Sequence, residues 1–286
     1  MRTARTVRAP YAGAYAAFAR VFPDLRVRLA TPPPGPDWHP VARLLADPAL
    51  RTRLLAAELR ADRARYGTAP RPDVAAGFWL HRYSWPLCLL FGLPWLLERR
   101  VPLPTVEQVA FRPARPAGGP VELALLPGAP HRFACLPDDP AARHPGAVPV
   151  PDRAALDATL RTAVAGHLAP LLAAFRPQLR RGPRTLWGLA TDELVESLWY
   201  AAGLLGLGPR AVADLEALLP GGTAPFTGGA GFRRADGQPA RTRVSCCLFY
   251  TVRPAEACAG CPRTAATPVT GGPVDAAGPD IVRPYC

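Results

Sequence analysis

Four cysteines fall within sixteen residues near the C-terminus: Cys246 and Cys247 side by side, then Cys258-Ala259-Gly260-Cys261. The two-residue gap of the second pair lets both sulfurs turn toward one centre, and Gly260 permits the tight turn this needs. Amides in such a turn can donate hydrogen bonds to thiolates or to cluster sulfides, which helps set a reduction potential. The vicinal pair is more demanding. Successive side chains on a strand point to opposite faces, so Cys246 and Cys247 can both ligate only if the backbone turns or bulges there. Four thiolates meet the requirement of a [2Fe–2S] centre, and they equally suit tetrahedral zinc. Zinc sites build each half from a C-x₂₋₄-C knuckle, and the vicinal pair departs from that pattern. The spacing therefore favours a [2Fe–2S] cluster and an electron-transfer role, with zinc as the open alternative.

The remaining candidates carry less. The total of seven cysteines is odd, and crowding of four of them in a reducing cytosol argues for metal rather than a disulfide framework. Cys88 and Cys135 sit in apolar runs and read as buried hydrophobes; the final residue, Cys286, has no assigned role. Arg243, Arg253 and Arg263 flank the cysteines. An all-cysteine cluster carries about −2 oxidised and about −3 reduced, so nearby arginines favour reduction and can attract an anionic ligand. Solvated arginines in an Arg-rich chain are an equal alternative for each. The five histidines (39, 81, 131, 144 and 167) show no metal spacing, and His81 and His167 read as structural. Trp187 and Trp199, twelve apart on one helical stretch, read as core aromatics before a ligand platform. Gly228-Gly-Ala-Gly231 completes no nucleotide-binding motif, and without lysine a Walker A loop is excluded. Electrons must then come from another protein.

The elements that position these residues follow from composition and periodicity. The chain has 286 residues, 49% hydrophobic and 20% charged, which suits one large globular domain or two small ones. The net charge of +12 is carried by 34 basic residues that are all arginine. Lysine and asparagine are absent, as in a GC-rich genome, so the charge is discounted as a nucleic-acid signal, and no nucleic-acid motif appears. The longest apolar stretch, Trp85 to Leu97, is broken by Pro86 and Pro94 and falls short of the ~20 residues a membrane span needs. A cytoplasmic location is expected, with peripheral contact at the inner face of the cell membrane left open.

Helices are expected over 9–22, over 40–66 with a break at Asp47-Pro48, and over 73–97 with a kink or division at the two prolines. Short apolar runs at 106–111, 121–126 and 131–136 predict a small antiparallel sheet of two or three strands. Asp152 is a candidate N-cap for a helix to about Phe175, followed by helices at 185–205 and 210–219. A Gly-rich connection (220–240), an extended segment (241–253) and a loose Pro/Gly-rich tail (264–286) complete the chain. The fold class is α+β, a mostly helical body with a small antiparallel sheet and a C-terminal four-cysteine iron–sulfur module. The boundaries are 1–225 for the body, 226–264 for the module and 265–286 for the tail.

The C-C-x₁₀-C-x₂-C pattern close to the C-terminus, preceded by arginine, resembles the FhuF-type ferric siderophore reductases. Arg184-Thr-Leu-Trp-Gly188 resembles the Leu-Trp-Gly element of that family, although Leu189 stands where the family has asparagine. The resemblance implies that Cys246, Cys247, Cys258 and Cys261 are the four cluster ligands. It also implies one-electron reduction of a ferric siderophore, with hydroxamates fitting the chemistry, and an external electron donor protein. The rival functions are a non-catalytic iron–sulfur carrier or sensor and a zinc-stabilised binding protein.

Overall fold

The structure is a computed structural model that describes residues 9–30, 32, 35, 37–113, 121–126, 131–235, 237–256, 258, 260–263 and 269–270. Its elements run α1 (Ala12–Val21), β1 (Leu25–Arg28), β2 (His39–Pro40), α2 (Val41–Ala46), α3 (Pro48–Tyr66), α4 (Pro72–Glu98), β3 (Arg100–Pro102), β4 (Val109–Arg112), β5 (Val121–Leu125), β6 (Phe133–Cys135), β7 (Ala147–Pro149), α5 (Arg153–Leu179), α6 (Pro183–Leu204), α7 (Gly208–Leu218), β8 (Phe232–Ala235), β9 (Gln238–Arg241) and β10 (Val269–Thr270).

The helical expectations hold, and their caps explain where they start. Asp47 accepts from Leu50 N at 2.9 Å, with Pro48 in the first turn, so the 40–66 stretch divides where the sequence breaks. Asp152 caps α5 in the same way through Ala155 N at 2.8 Å. The 73–97 stretch is one helix rather than two, despite Pro86 and Pro94. Pro94 has no N–H for the carbonyl of Leu90, four residues earlier. The Tyr15 hydroxyl donates to that carbonyl instead, at 2.5 Å. Burial of nearly every residue from Val74 to Leu96 then keeps the helix whole.

Helix α4 packs against α5, α6, α1 and α3, and buried polar pairs fix its rotation within this apolar core. Trp95 Nε1 donates to Asp157 at 2.7 Å, Tyr83 Oη meets His167 Nε2 at 2.8 Å, and His81 Nδ1 meets Glu193 at 2.5 Å. His81 and His167 are thus structural, and Cys88 and Cys135 are fully buried. By length and composition α5 is long and apolar enough to cross a membrane, which the sequence reading had excluded for every stretch. Its Leu156, Leu160, Val164, Leu168 and Leu171 are part of the core.

The strands depart from expectation. The runs at 106–111, 121–126 and 131–136 do not form one antiparallel sheet. β4 and β5 pair antiparallel inside a four-stranded sheet of order β1-β5-β4-β2, in which β1 joins β5 in parallel. β6 belongs to a second sheet, antiparallel to β3 and parallel to β7. Val106–Gln108 is a short 3₁₀ turn capped by Thr105. β1 alternates as Leu-Arg-Val-Arg and β7 is only three residues long, and neither is joined to its parallel partner by a local turn, so these pairings were invisible in the sequence. The 220–240 connection contains a hairpin, β8–β9. The extended reading of 241–253 holds only for Arg241; a bend and a 3₁₀ turn (Phe249–Thr251) follow. The tail lies outside the described residues, as does Cys286, apart from β10, which pairs with β9.

Candidate metal centre

The cysteine loop begins where β9 ends and is held by buried charges from α6. Asp192, Glu193 and Glu196 project from a helix whose other buried residues are apolar apart from Thr191 and Ser197, and all three are 0–2% exposed. Ions are buried only when paired, and their partners come from the strand that leads into the cysteines. Arg241 is fully buried; its Nη2 donates to Asp192 Oδ1 at 2.8 Å, its Nη1 to Glu196, and its Nε to Ala230 O at 2.7 Å. Arg243 reaches Glu193 at 3.4 Å and Asp192 at 3.9 Å. Burial pulls the Arg243 guanidinium down, but Asp192 and Glu193 outweigh it and hold the charge firmly. Burial pushes the Glu196 carboxyl up, against the pull of Arg241 and Arg243.

Asp192 also grips the backbone. Its Oδ1 accepts from Val244 N, and its Oδ2 accepts from both Ser245 N and Ser245 Oγ, each at 2.8 Å. The chain bends at Val244–Ser245, and Leu248 takes a left-handed conformation with φ 65°. This bracket around Cys246-Cys247 is the departure from a regular strand that the vicinal pair requires. The Leu248 amide hydrogen-bonds to Cys246, which favours its thiolate form against the effect of burial.

Gly188 supplies the room. A Cβ there would meet Val244 Cγ1 at 3.2 Å and Ser245 Cβ at 3.6 Å, so a side chain on this face of α6 would push the loop away. The Leu-Trp-Gly element therefore has a physical role in seating the loop. Trp187 and Trp199 pack edge-on against Phe226 and Phe232, at 5.6 and 5.0 Å between centroids, so both act as packing aromatics.

The second pair follows after the 3₁₀ turn. Cys261 N donates to Cys258 O at 3.0 Å, Gly260 has φ 65°, and Arg243 N donates to Gly260 O at 2.8 Å, tying the two halves together. Between them, Phe249 and Val252 pack on Val74 and Phe78 of α4, with Tyr66, Cys247 and Leu248 around them.

All four cysteines line one surface opening of about 270 Å³, whose rim includes Tyr250, Pro254, Glu256 and Arg263. Cys247 Sγ lies 3.5 Å from Cys258 Sγ; Cys258 and Cys261 are buried and Cys246 and Cys247 half-buried. Among the described residues, no three His, Cys, Asp or Glu donors close on a single metal ion. The cysteines ring an opening, and a ring of four thiols matches the donor set of an iron–sulfur cluster. Burial pushes the Cys246 thiol up, with Cys247 and Cys261 adding to it, so loading a metal there must displace a proton.

Residues 243–263 match the family model of the FhuF 2Fe-2S C-terminal domain. The matched segment is thus similar to an iron–sulfur domain of the FhuF type and contains all four cysteines. The match supports the FhuF-type siderophore reductase family for this chain and a siderophore-iron reductase-like role. No curated protein matches the chain.

Of the three arginines singled out in the sequence, Arg243 is buried and matched by acids, so it faces no solvent ligand. Arg253 is half-buried, and the Arg263 guanidinium sits 4.2 Å over the Tyr250 ring at the rim. The sequence reading missed Asp192, Glu193, Glu196 and Arg241. Their signal was present: three acids within five residues of an otherwise apolar helix are out of place unless paired.

Proposed function

We propose that the chain is a ferric-siderophore reductase holding a [2Fe–2S] cluster on Cys246, Cys247, Cys258 and Cys261. The observation that carries this reading is the gathering of all four cysteines on one opening to the surface, within the segment that matches the FhuF domain. When bound, the cluster supplies a one-electron couple.

The chain's own residues hold that couple at the surface. Asp192 and the Arg241–Glu196 pair fix the first cysteine pair from behind, and the Gly260 turn fixes the second. Phe249 and Val252 close the inner side against water, while Tyr250 and Arg263 leave the outer side open to substrate. An external donor protein in the cytoplasm supplies one electron, and the Fe(III) of the siderophore accepts it. The lower charge of Fe(II) weakens its attraction to anionic hard oxygens such as those of hydroxamates, and the iron leaves.

The test is a visible spectrum with iron and sulfide quantitation after anaerobic reconstitution, followed by stopped-flow mixing of reduced protein with ferric siderophores. Two irons and two sulfides per chain, with reoxidation that tracks siderophore concentration, is the expected result. A colourless protein holding zinc overturns the cluster, and a cluster that reoxidises no faster with siderophore overturns the substrate.

A further inference from the structure

We propose that Arg181, on the short connection between α5 and α6, is the residue that compensates the cluster's charge and raises its reduction potential. The inference rests on the iron–sulfur reading above and identifies a residue that the cysteine motif does not contain.

Arg181 lies between the left-handed cap Arg180 (φ 52°) and the N-cap Gly182, a connection with little freedom to swing. Its Nη1 donates to the backbone carbonyl of Cys246 at 2.7 Å, so the guanidinium is anchored to the first ligand itself. Its Nη2 is buried and has no hydrogen-bond partner among the described residues. That nitrogen is 4.0 Å from where a Cβ on Gly77 would stand, and it lines a cavity of about 10 Å³ shared with Cys247, Arg243 and His81. A cavity of this size holds a single water at most, so Arg181 sits against the vicinal pair with almost no screening solvent.

Two of the other arginines near the cysteines are engaged elsewhere. Arg243 is answered by Asp192 and Glu193, and Arg263 stacks on Tyr250. Burial pulls the Arg181 guanidinium down, and the strongest opposing attractions come from Cys246 and Cys247, ahead of Asp73, which Arg71 already holds at 2.9 Å. The reduced cluster carries one more negative charge than the oxidised one, so a fixed cation in a poorly solvated site favours reduction. A guanidinium is the suitable cation, since it stays charged when buried.

The experiment is potentiometric titration of the reconstituted protein and three variants, followed by visible absorbance, with iron and sulfide measured in each. Arg181→Gln keeps a donor for the Cys246 carbonyl and removes the charge; it should lower the reduced-to-oxidised ratio at a fixed potential about tenfold, or ~59 mV for one electron. Arg181→Lys keeps the charge and should stay within about threefold of wild type. Gly77→Asp brings a carboxylate toward Nη2 from α4 and should shift the couple in the same direction as the glutamine variant. A wild-type potential in Arg181→Gln overturns the proposal, as does an equal drop in Arg181→Lys, which would make the residue purely structural. If the glutamine variant holds no cluster, an unshifted Gly77→Asp overturns it on its own. Wild-type protein without iron and sulfide fails the cluster reading instead, so the two failures are distinguishable.

Discussion

Replacing Asp192 with asparagine tests whether the buried ionic patch on α6 holds the ligand loop. The carboxylate accepts four hydrogen bonds, from Arg241 Nη2, Val244 N, Ser245 N and Ser245 Oγ. An asparagine of the same size has one acceptor oxygen and one donor amide. Its best orientation keeps the oxygen toward Arg241 and Val244 and turns the amide toward Ser245, whose hydroxyl can rotate to accept. The Ser245 N–H is then left buried and unsatisfied, at a cost of about 1–3 kcal/mol. Arg241 and Arg243 also lose a formal charge partner, and breaking a buried pair costs about 3–5 kcal/mol. The two costs overlap, because the orphaned Ser245 N–H belongs to the same broken pair, so about 3–5 kcal/mol of local stability is assigned to the contact between α6 and residues 241–245. A domain is stable by about 5–15 kcal/mol, and the helical body should persist while the loop opens. Hydrogen exchange followed by mass spectrometry is the assay: amides of 241–247 should exchange about 100-fold faster or more, with α4 and α5 unchanged. Iron retained after reconstitution should fall in parallel. Loop protection within threefold of wild type would refute the assignment of Asp192 as the anchor.

Gly188→Leu should drive Val244 off α6 and cost about 1–3 kcal/mol by overpacking, seen as a lower denaturation midpoint and reduced iron content; Val244→Ala in the same chain should recover part of both. Cys258→Ser should abolish the visible chromophore on reconstitution while far-ultraviolet circular dichroism stays unchanged, because Cys258 serves the opening rather than the helical core. Burial holds His167 down to about 4, below the usual ~6.5. The unfolded chain therefore binds a proton that the folded chain refuses, and stability is lost as pH falls from about 6.5 to about 4. That gap is worth about 3 kcal/mol, so His167→Gln should flatten the pH dependence of the urea midpoint across this window; an unchanged slope would refute the assignment.

The helices were legible because their signals are local. Asp47-Pro48 and Asp152 are caps that act within one turn, and the heptad-like leucines of α3 and α5 announce a face. The candidate ligand set stood out for a related reason, since four thiols in sixteen residues have few other uses. What the sequence hid was long-range. Asp192 and Ser245 are 53 residues apart, and His81 and Glu193 are 112 apart. No periodicity relates such positions. The parallel strands β1 and β7 were hidden likewise, because their partners are chosen by packing and not by a turn. Arg181 carried no sequence signal at all in a chain with 34 basic residues; only its reach to the Cys246 carbonyl sets it apart.

A segment of about twenty residues cannot bury enough apolar surface to fix four cysteines by itself. The body supplies the order, and it does so unequally. The first pair is fixed by Asp192 on one side and Arg181 on the other, with the Leu248 bracket closing the bend. The second pair meets this frame through the backbone bond from Arg243 N to Gly260 O and the approach of Cys258 to Cys247, and through its own turn. Among the described residues, Cys246-Cys247 is thus the half of the site held by side chains of the body, and Cys258-Cys261 the half shaped mainly by its own turn. This division explains why the conspicuous charges lie on α6 and not beside the CxxC turn. The vicinal pair needs a backbone that no regular strand provides, whereas a CxxC turn needs little more than its glycine.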